Sequence, residues 1–360
     1  MNPGKTLAVA GLCLTVVLSG SYRSGAGVPA FEPAFAQEPA AKAPQGPPTR
    51  QKKAPAEEEQ DRPQGQTSIS VSVDLVSLQV LVQDQKGSTI TGLRPESFKI
   101  YEDNVQQEIS NFAPVDANIT VVMLVEYSRQ VSYFIYDVWE AIYGYAKSLR
   151  PGDWVAVIGY DIRPTILADF TQDRQKLYDT LRRFNYPAFS ESNLADALMF
   201  TLDRVDEIEG KVAILLVSTG LDTFSRHTYD EALNRCKAAN ASVYALGLGQ
   251  SFRIRAESYG MIGPETNLEF LMADNRLKSF ADFTGGAAYF PRFTTEFPTI
   301  FNNISVLLRS QYSIAYASSN TKKDGKYRKL RVDVTADINN DGKPDKLKVT
   351  TRKGYLAKAL

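Results

Sequence analysis

Two cysteines and one histidine in 360 residues, with basic and acidic side chains balanced at 41 each, close off several chemistries before any motif is considered. There is no Cys or His cluster to ligate a metal. His227 is the only histidine and stands in a polar loop, so no Ser, His and Asp set can be assembled and Cys236 has no base to activate it. The charge balance leaves no basic excess to hold a phosphate backbone, which excludes nucleic acid as an expected partner. No glycine-rich phosphate loop follows a strand; Thr284, Gly285 and Gly286 are more economically a turn before a strand. Glycosidase-like carboxylate pairs are too numerous among 41 acidic residues for one to stand out. The expected class is therefore not an enzyme.

What is present begins with an address. Lys5 precedes an apolar run from Thr6 to Gly20, and Ala34, Phe35 and Ala36 supply small residues for signal peptidase. Residues 1–36 are expected to be a signal peptide, with cutting nearer Ser19 or Gly20 as the competing choice. The run is shorter than the roughly 20 apolar residues of a comfortable span, an uncleaved anchor being the alternative. Cleavage removes Cys13 and leaves Cys236, on the inner face of a helix, so no intramolecular disulfide can form and core packing is its expected role. Residues 37–66 shift to Pro, Ala, Lys, Glu and Gln, too few apolar groups to offset ordering entropy, and should form a disordered tether. Secretion or retention at the cell envelope follows, with no membrane span after cleavage.

Residues 67–116 form an expected β-module: period-two alternation in SISVSVDLVSLQVLVQD, then strands around Phe98 to Tyr101 and Gln107 to Phe112, with turn signals at Lys86-Gly87 and Asp103-Asn104. From residue 117 to 310 the pattern changes to strand, helix, strand. Short apolar runs (VVMLV, WVAVIGY, KVAILLVS, SVYALGLG) alternate with helical spacing, as in Val131, Ile135, Val138, Ile142, Ala146 and Leu149. IRPTILADF pairs antiparallel with its predecessor. The class is α/β, a doubly wound, mostly parallel sheet with helices on both faces, flanked by a small β-sandwich-like module from the N- and C-terminal segments, the latter covering 311–360. Six aromatics from Tyr133 to Tyr145 crowd the first helix and are expected to pack under the β-module. The polar stretch from Gly249 to Asp274, around Arg253, Arg255, Tyr259 and Met261, is expected to be a loop-like insertion and a contact surface.

TVVMLVEYSRQ, from Thr120 to Gln130, runs an apolar strand into Glu126, Ser128 and Gln130, delivering them to a sheet edge where open α/β sheets place ligands. Together with LVSLQVLVQDQKG, LRPESFKIYEDN, RPGDWVAVIGYD, FTQDRQKLYDTL, SNLADAL, FADFTGGAAYF and YRKLRVDV, it carries a resemblance. Residues from about Asn118 to Leu308 resemble a von Willebrand factor A domain. More broadly, Ser68 to Tyr355 resembles the VWFA-related family of secreted proteins common in Acidobacteria.

The resemblance implies a protein-binding module whose sheet edge can hold Mg²⁺ in a metal-ion-dependent adhesion site: an Asp-x-Ser-x-Ser loop, a distant Thr and a distant Asp, with a partner's carboxylate completing the shell. Here Glu126 replaces the first Asp, Ser128 is kept, Gln130 replaces the second Ser, Ser192 stands for the Thr and Thr219 for the final Asp. One carboxylate is lost and the other displaced by a methylene, which counts against tight Mg²⁺ binding. Asp222 could restore a charge from the same loop. Without a metal, Glu126, Ser128 and Gln130 would cap the next helix and bond neighbouring loops.

A second constellation is DINNDGKPDKLKV. Asp337, Asn339, Asp341 and Asp345 fall at positions 1, 3, 5 and 9 of a calcium loop, with Gly342 at the turn and Lys343 able to offer its carbonyl. Lys348 stands where an EF-hand needs glutamate, and the flanks alternate as strands. The expectation is a Ca²⁺ loop on a β-hairpin; the alternative is a polar turn in which Asn340, Asp341 and Gly342 supply turn chemistry.

Overall fold

Val76, Leu78, Val80 and Val82 alternate along β1 (Leu75–Gln83) and all four are buried, as a strand with one face on a core requires. The computed structural model describes residues 46–49, 75–113, 115, 117–182, 189–259, 264–339 and 341–358. The expected signal peptide, most of the tether, Met261 and Asn340 lie outside the described residues. Within the tether, Thr49 bridges Ile208 and the Pro48 carbonyl accepts the Glu209 amide at 2.9 Å.

β2 (Phe98–Glu102), β3 (Val105–Gln107) and β4 (Ile109–Ala113) follow β1. Asp103 and Asn104 turn between β2 and β3 with φ of 46° and 69°, the left-handed pair that a two-residue hairpin demands.

β5 (Ile119–Glu126) is buried along its length. Its residues divide by parity. Ile119, Val121, Met123 and Val125 enter one core with α1 (Ile135–Ser148), α2 (Arg174–Arg182) and α7 (Phe297–Arg309). Val122 and Leu124 enter the other, with α3 (Leu194–Val205), α4 (Tyr229–Ala238) and α6 (Pro264–Thr284). A strand covered on both faces has no use for polar alternation, hence the unbroken apolar run. The remaining strands are β6 (Trp154–Tyr160), β7 (Pro164–Thr171), β8 (Lys211–Ser218), β9 (Ser242–Gly247) and β10 (Ala288–Tyr289). Their order is β10-β9-β8-β5-β6-β7, parallel except for the β6–β7 pair. The chain leaves β5 through α1 toward β6 on one side and leaves β8 through α4 toward β9 on the other. The carboxyl ends of β5 and β8 therefore meet at a topological switch point.

β11 (Tyr312–Ala317), β12 (Tyr327–Val334), β13 (Lys348–Thr350) and β14 (Gly354–Leu356) return to the first strands, giving two antiparallel sheets, β13-β1-β11-β4 and β14-β12-β2-β3. The N- and C-terminal segments are thus interleaved, with β11 between β1 and β4, and share one core containing Leu78, Ile100, Ile314 and Val332. Glu102 pins the two sheets from inside: its carboxylate accepts hydroxyls from Tyr316 at 2.7 Å, Ser318 at 2.8 Å and Tyr355 at 3.0 Å.

Two sequence expectations change. Gly249 to Asp274 is mainly helical, comprising α5 (Gly249–Ser258) and the first half of α6. Arg253, Arg255 and Glu257 interrupt any apolar stripe on α5, so the periodicity that signals a helix is missing although the backbone forms one. The aromatics of α1 pack within the α/β domain: Tyr143 stacks on Tyr178 of α2 at 4.1 Å and Tyr145 meets Phe301 of α7 at 6.1 Å. Tyr133, before α1, and Tyr136 on it stay exposed.

Candidate functional site

β5 ends at the switch point on a carboxylate that is 1% exposed. Glu126 Oε1 accepts the Ser128 hydroxyl at 2.7 Å. Oε2 accepts three donors from the end of β8: Ser218 Oγ at 3.0 Å, Thr219 N at 2.7 Å and Thr219 Oγ1 at 2.8 Å. Tyr160, at the end of β6, donates its hydroxyl to Ser218 Oγ at 2.8 Å, and the Gly220 amide donates to the same atom at 2.8 Å. Three adjacent strands thereby converge on one buried acid. Burial raises the Glu126 carboxyl above its ordinary value, opposed by the hydrogen bonds from Ser128, Thr219 and Ser218. Tyr160 is raised in turn, by burial first and by the Glu126 charge second, and remains a phenol.

The sequence-selected residues are only partly gathered here. Glu126, Ser128 and Thr219 form one hydrogen-bonded unit. Ser192 is fully buried before α3, its Oγ beside Tyr160 but without a hydrogen bond of good geometry. Gln130 lies half-buried on a short 3₁₀ turn, Arg129–Val131, and contributes nothing to the Glu126 carboxylate. Ser128 occupies the cap position of that turn, yet its hydroxyl turns to Glu126 instead of the backbone. Asp222 is engaged elsewhere, accepting the Ala195 amide at 2.7 Å and the Ser225 hydroxyl at 2.7 Å, where it caps α3. Ser218 and Tyr160 had no motif to announce them; their signal was only that each ends a strand adjoining β5.

This donor set does not fit Mg²⁺ as it stands. One carboxylate supplies the only negative charge, and its oxygens already accept four donors. Among the described residues no group of three or more His, Cys, Asp or Glu is placed to hold a metal ion.

At the other constellation the side chains fold onto their own loop. Asp337 accepts the Asp341 and Gly342 amides at 3.1 and 2.8 Å, Asn339 Oδ1 accepts the Asp341 amide at 3.0 Å, and Asp341 accepts the Lys343 amide at 2.8 Å. Asp345 accepts the Ile338 amide at 2.7 Å, and Gly342 sits at φ 81°. His227 is exposed in its polar loop and bonds Asp196 through Nδ1 at 2.7 Å; Asp196 also accepts the Arg226 and His227 amides, both at 3.0 Å. Cys236 is wholly buried, its thiol pushed up to about 12 by desolvation.

A family model, von Willebrand factor type A domain, matches residues 120–284. No curated protein matches the chain. Similar solved structures include proximal thread matrix protein 1 from the mussel byssus, 11% identical with a TM-score of 0.41, covering 53% of this chain and 48% of that one. This chain thus spans about half the length of the mussel protein. Another is a von Willebrand factor type A protein from Catenulispora acidiphila, 12% identical with a TM-score of 0.40, over 79% of this chain and 75% of that one. A third is the vWF domain of the type V pili tip protein Mfa5 from Porphyromonas gingivalis, 15% identical with a TM-score of 0.37, over 54% and 97%. With the switch-point topology and the family match in agreement, residues 120–284 of this chain are a von Willebrand factor type A domain.

Proposed function

We propose that this chain is an exported, non-catalytic protein-interaction module of the VWFA-related kind. It binds a protein partner through loops at the carboxyl edge of its sheet, with a degenerate adhesion site that works without Mg²⁺. Residues 1–36 direct export, 37–66 tether the folded part to the envelope, and the segments 67–116 and 311–360 brace the domain at 117–310. The observation that carries this reading is the Glu126 carboxylate. It occupies the family's first ligand position, yet it is saturated by Ser128, Ser218 and Thr219, so its role is to lock the β5 and β8 loops together. A locked edge presents a preorganised surface, which lowers the ordering cost of binding.

The second reading, a structural or assembly component of the envelope with a vestigial site, is favoured by the same saturation, because a closed network offers a partner no open valence. A cell-wall hydrolase is the weakest alternative. Cross-linking capture from envelope extracts, with and without chelator, tests the choice. Specific capture that chelator leaves unchanged is expected. Capture lost in chelator would restore a metal-bridged mechanism, no specific capture would favour the structural role, and turnover of cell-wall glycans would overturn the non-catalytic reading.

A further inference from the structure

Beside the carboxyl edge, two segments that leave the sheet form an open cavity of about 240 Å³ lined by Tyr133, Phe252, Arg255, Ala256 and Tyr259. Tyr133 follows β5, and the other four lie on or just after α5, which follows β9. The Arg255 guanidinium lies 4.6 Å from the Tyr133 ring centroid and 5.9 Å from that of Tyr259. Both tyrosines are about two-thirds exposed, at 65% and 67%, so their rings are open to a partner. The neighbouring Arg253 is paired with Asp274 at 3.3 Å, whereas Arg255 has no acidic partner among the described residues.

A guanidinium held against aromatic rings keeps its in-plane N–H fork available, and that fork matches a carboxylate with two parallel hydrogen bonds. Contact with the Tyr133 ring restricts the side chain in advance, so less rotamer freedom is lost on binding. The ring faces leave apolar walls for whatever flanks the carboxylate. An internal acidic residue presents neighbours on both sides and can use both walls, while a chain terminus can use one.

We propose that Tyr133, Arg255 and Tyr259 form a carboxylate clamp that takes an Asp or Glu side chain, flanked by apolar residues, from an extended segment of a partner protein. The clamp rests on the partner-binding reading above and names the chemistry that reading leaves open. In this fold a partner's acid is then taken by an arginine beside the sheet edge, separate from the closed Glu126 network.

Fluorescence anisotropy on the full chain tests it with three labelled probes: capped Gly-Leu-Glu-Leu-Gly, the same peptide with glutamine at the centre, and Gly-Leu-Gly-Leu-Glu with a free carboxyl end. The expected result is binding of the first probe at least about tenfold tighter than the second, the loss of one charged bidentate contact, with the third intermediate. Arg255→Gln should abolish that preference, and Tyr133→Ala should weaken binding of the first probe while leaving the melting midpoint unchanged. Equal binding of the first two probes, no binding of any, or a preference that survives Arg255→Gln overturns the clamp. Envelope capture repeated with Arg255→Gln separates the two proposals. Capture by the wild type that persists in the variant sinks the clamp and leaves the module standing; no capture by the wild type sinks the module, and the peptide comparison still judges the clamp.

Discussion

Glu126 sets the behaviour of the sheet edge because its charge is buried with hydrogen bonds but with no cation beside it among the described residues. In the unfolded chain it ionises near 4.5, and in the fold burial raises that value. Between the two values the folded protein holds a proton that the unfolded chain has released, so stability falls as pH rises from about 4.5 through the folded value and stays low above it. Glu126→Gln removes the titration. Its carbonyl can keep the Ser218 and Thr219 donors while its amide donates to Ser128 Oγ, reversing that one bond. Thermal melts across pH should show the fall in the wild type and a flatter curve in this variant. Glu126→Ala instead strands the donors and should cost about 3 kcal/mol by chemical denaturation. Mg²⁺ should leave the melting midpoint of the wild type unchanged; a rise that Glu126→Gln abolishes would reopen the adhesion site. Cys236, buried and held as a thiol, should resist a thiol reagent until the chain unfolds. The position of Glu126 was legible in TVVMLVEYSRQ, since an apolar run ending in an acid marks a strand end. Its saturation was not, because Ser218 and Thr219 lie more than ninety residues away and meet it only through the parallel β5–β8 register.

At the scale of elements, the loop from Asp337 to Asp345 is arranged by its own carboxylates. Each of their hydrogen bonds to loop amides leaves oxygen lone pairs available, so calcium would add to a turn already formed. If the loop held calcium with an affinity near 1 mM, the extracellular range, 10 mM Ca²⁺ would stabilise the fold by about 1.4 kcal/mol. A raised melting midpoint that Asp341→Ala abolishes is the supporting result; an unchanged midpoint leaves a polar turn. The turn after α6 has a sharper requirement. Gly285 has φ 78°, and a Cβ on Gly286 would collide with the Val243 carbonyl of β9. Gly286→Ala should therefore destabilise by about 3 kcal/mol or prevent folding, measured by urea melts. The turn character of Thr284-Gly285-Gly286 was legible from composition, but the helix α5 was not. A helix that buries only Gly249, Ser251 and Ala256 leaves no apolar period in its sequence.

For the whole molecule, the β-module and the α/β domain are joined by buried polar contacts as well as by chain. Arg352, 5% exposed, donates from one nitrogen to the Lys237 carbonyl at the end of α4 and from another to the Gly354 carbonyl at 3.0 Å. Burial lowers its value to about 10, so it remains charged at neutral pH and favours the negative end of the α4 dipole. Lys211 at the start of β8 donates to the Gln311 carbonyl at 2.5 Å, and Gln311 donates to the Tyr244 hydroxyl of β9 at 2.9 Å, tying the entry to β11 to the central sheet. Calorimetry should record one cooperative transition for the wild type. Arg352→Met, which breaks the charged contacts at a cost of about 3 kcal/mol, should broaden it or separate the module as an earlier step.

Local pattern alone determined the class of this protein: a β-module, then alternating apolar strands and helices, with a carboxylate at a strand end. Those properties are encoded by period and residue type within about ten residues, which is the range over which a strand or helix selects its side chains. Tertiary structure decided the rest. It interleaved the first and last strands, aimed Ser218 and Thr219 at Glu126, sent Asp222 to cap α3, and placed Arg255 over the Tyr133 ring. Each of these joins residues far apart in the chain through sheet order and register, and no local spacing carries that information.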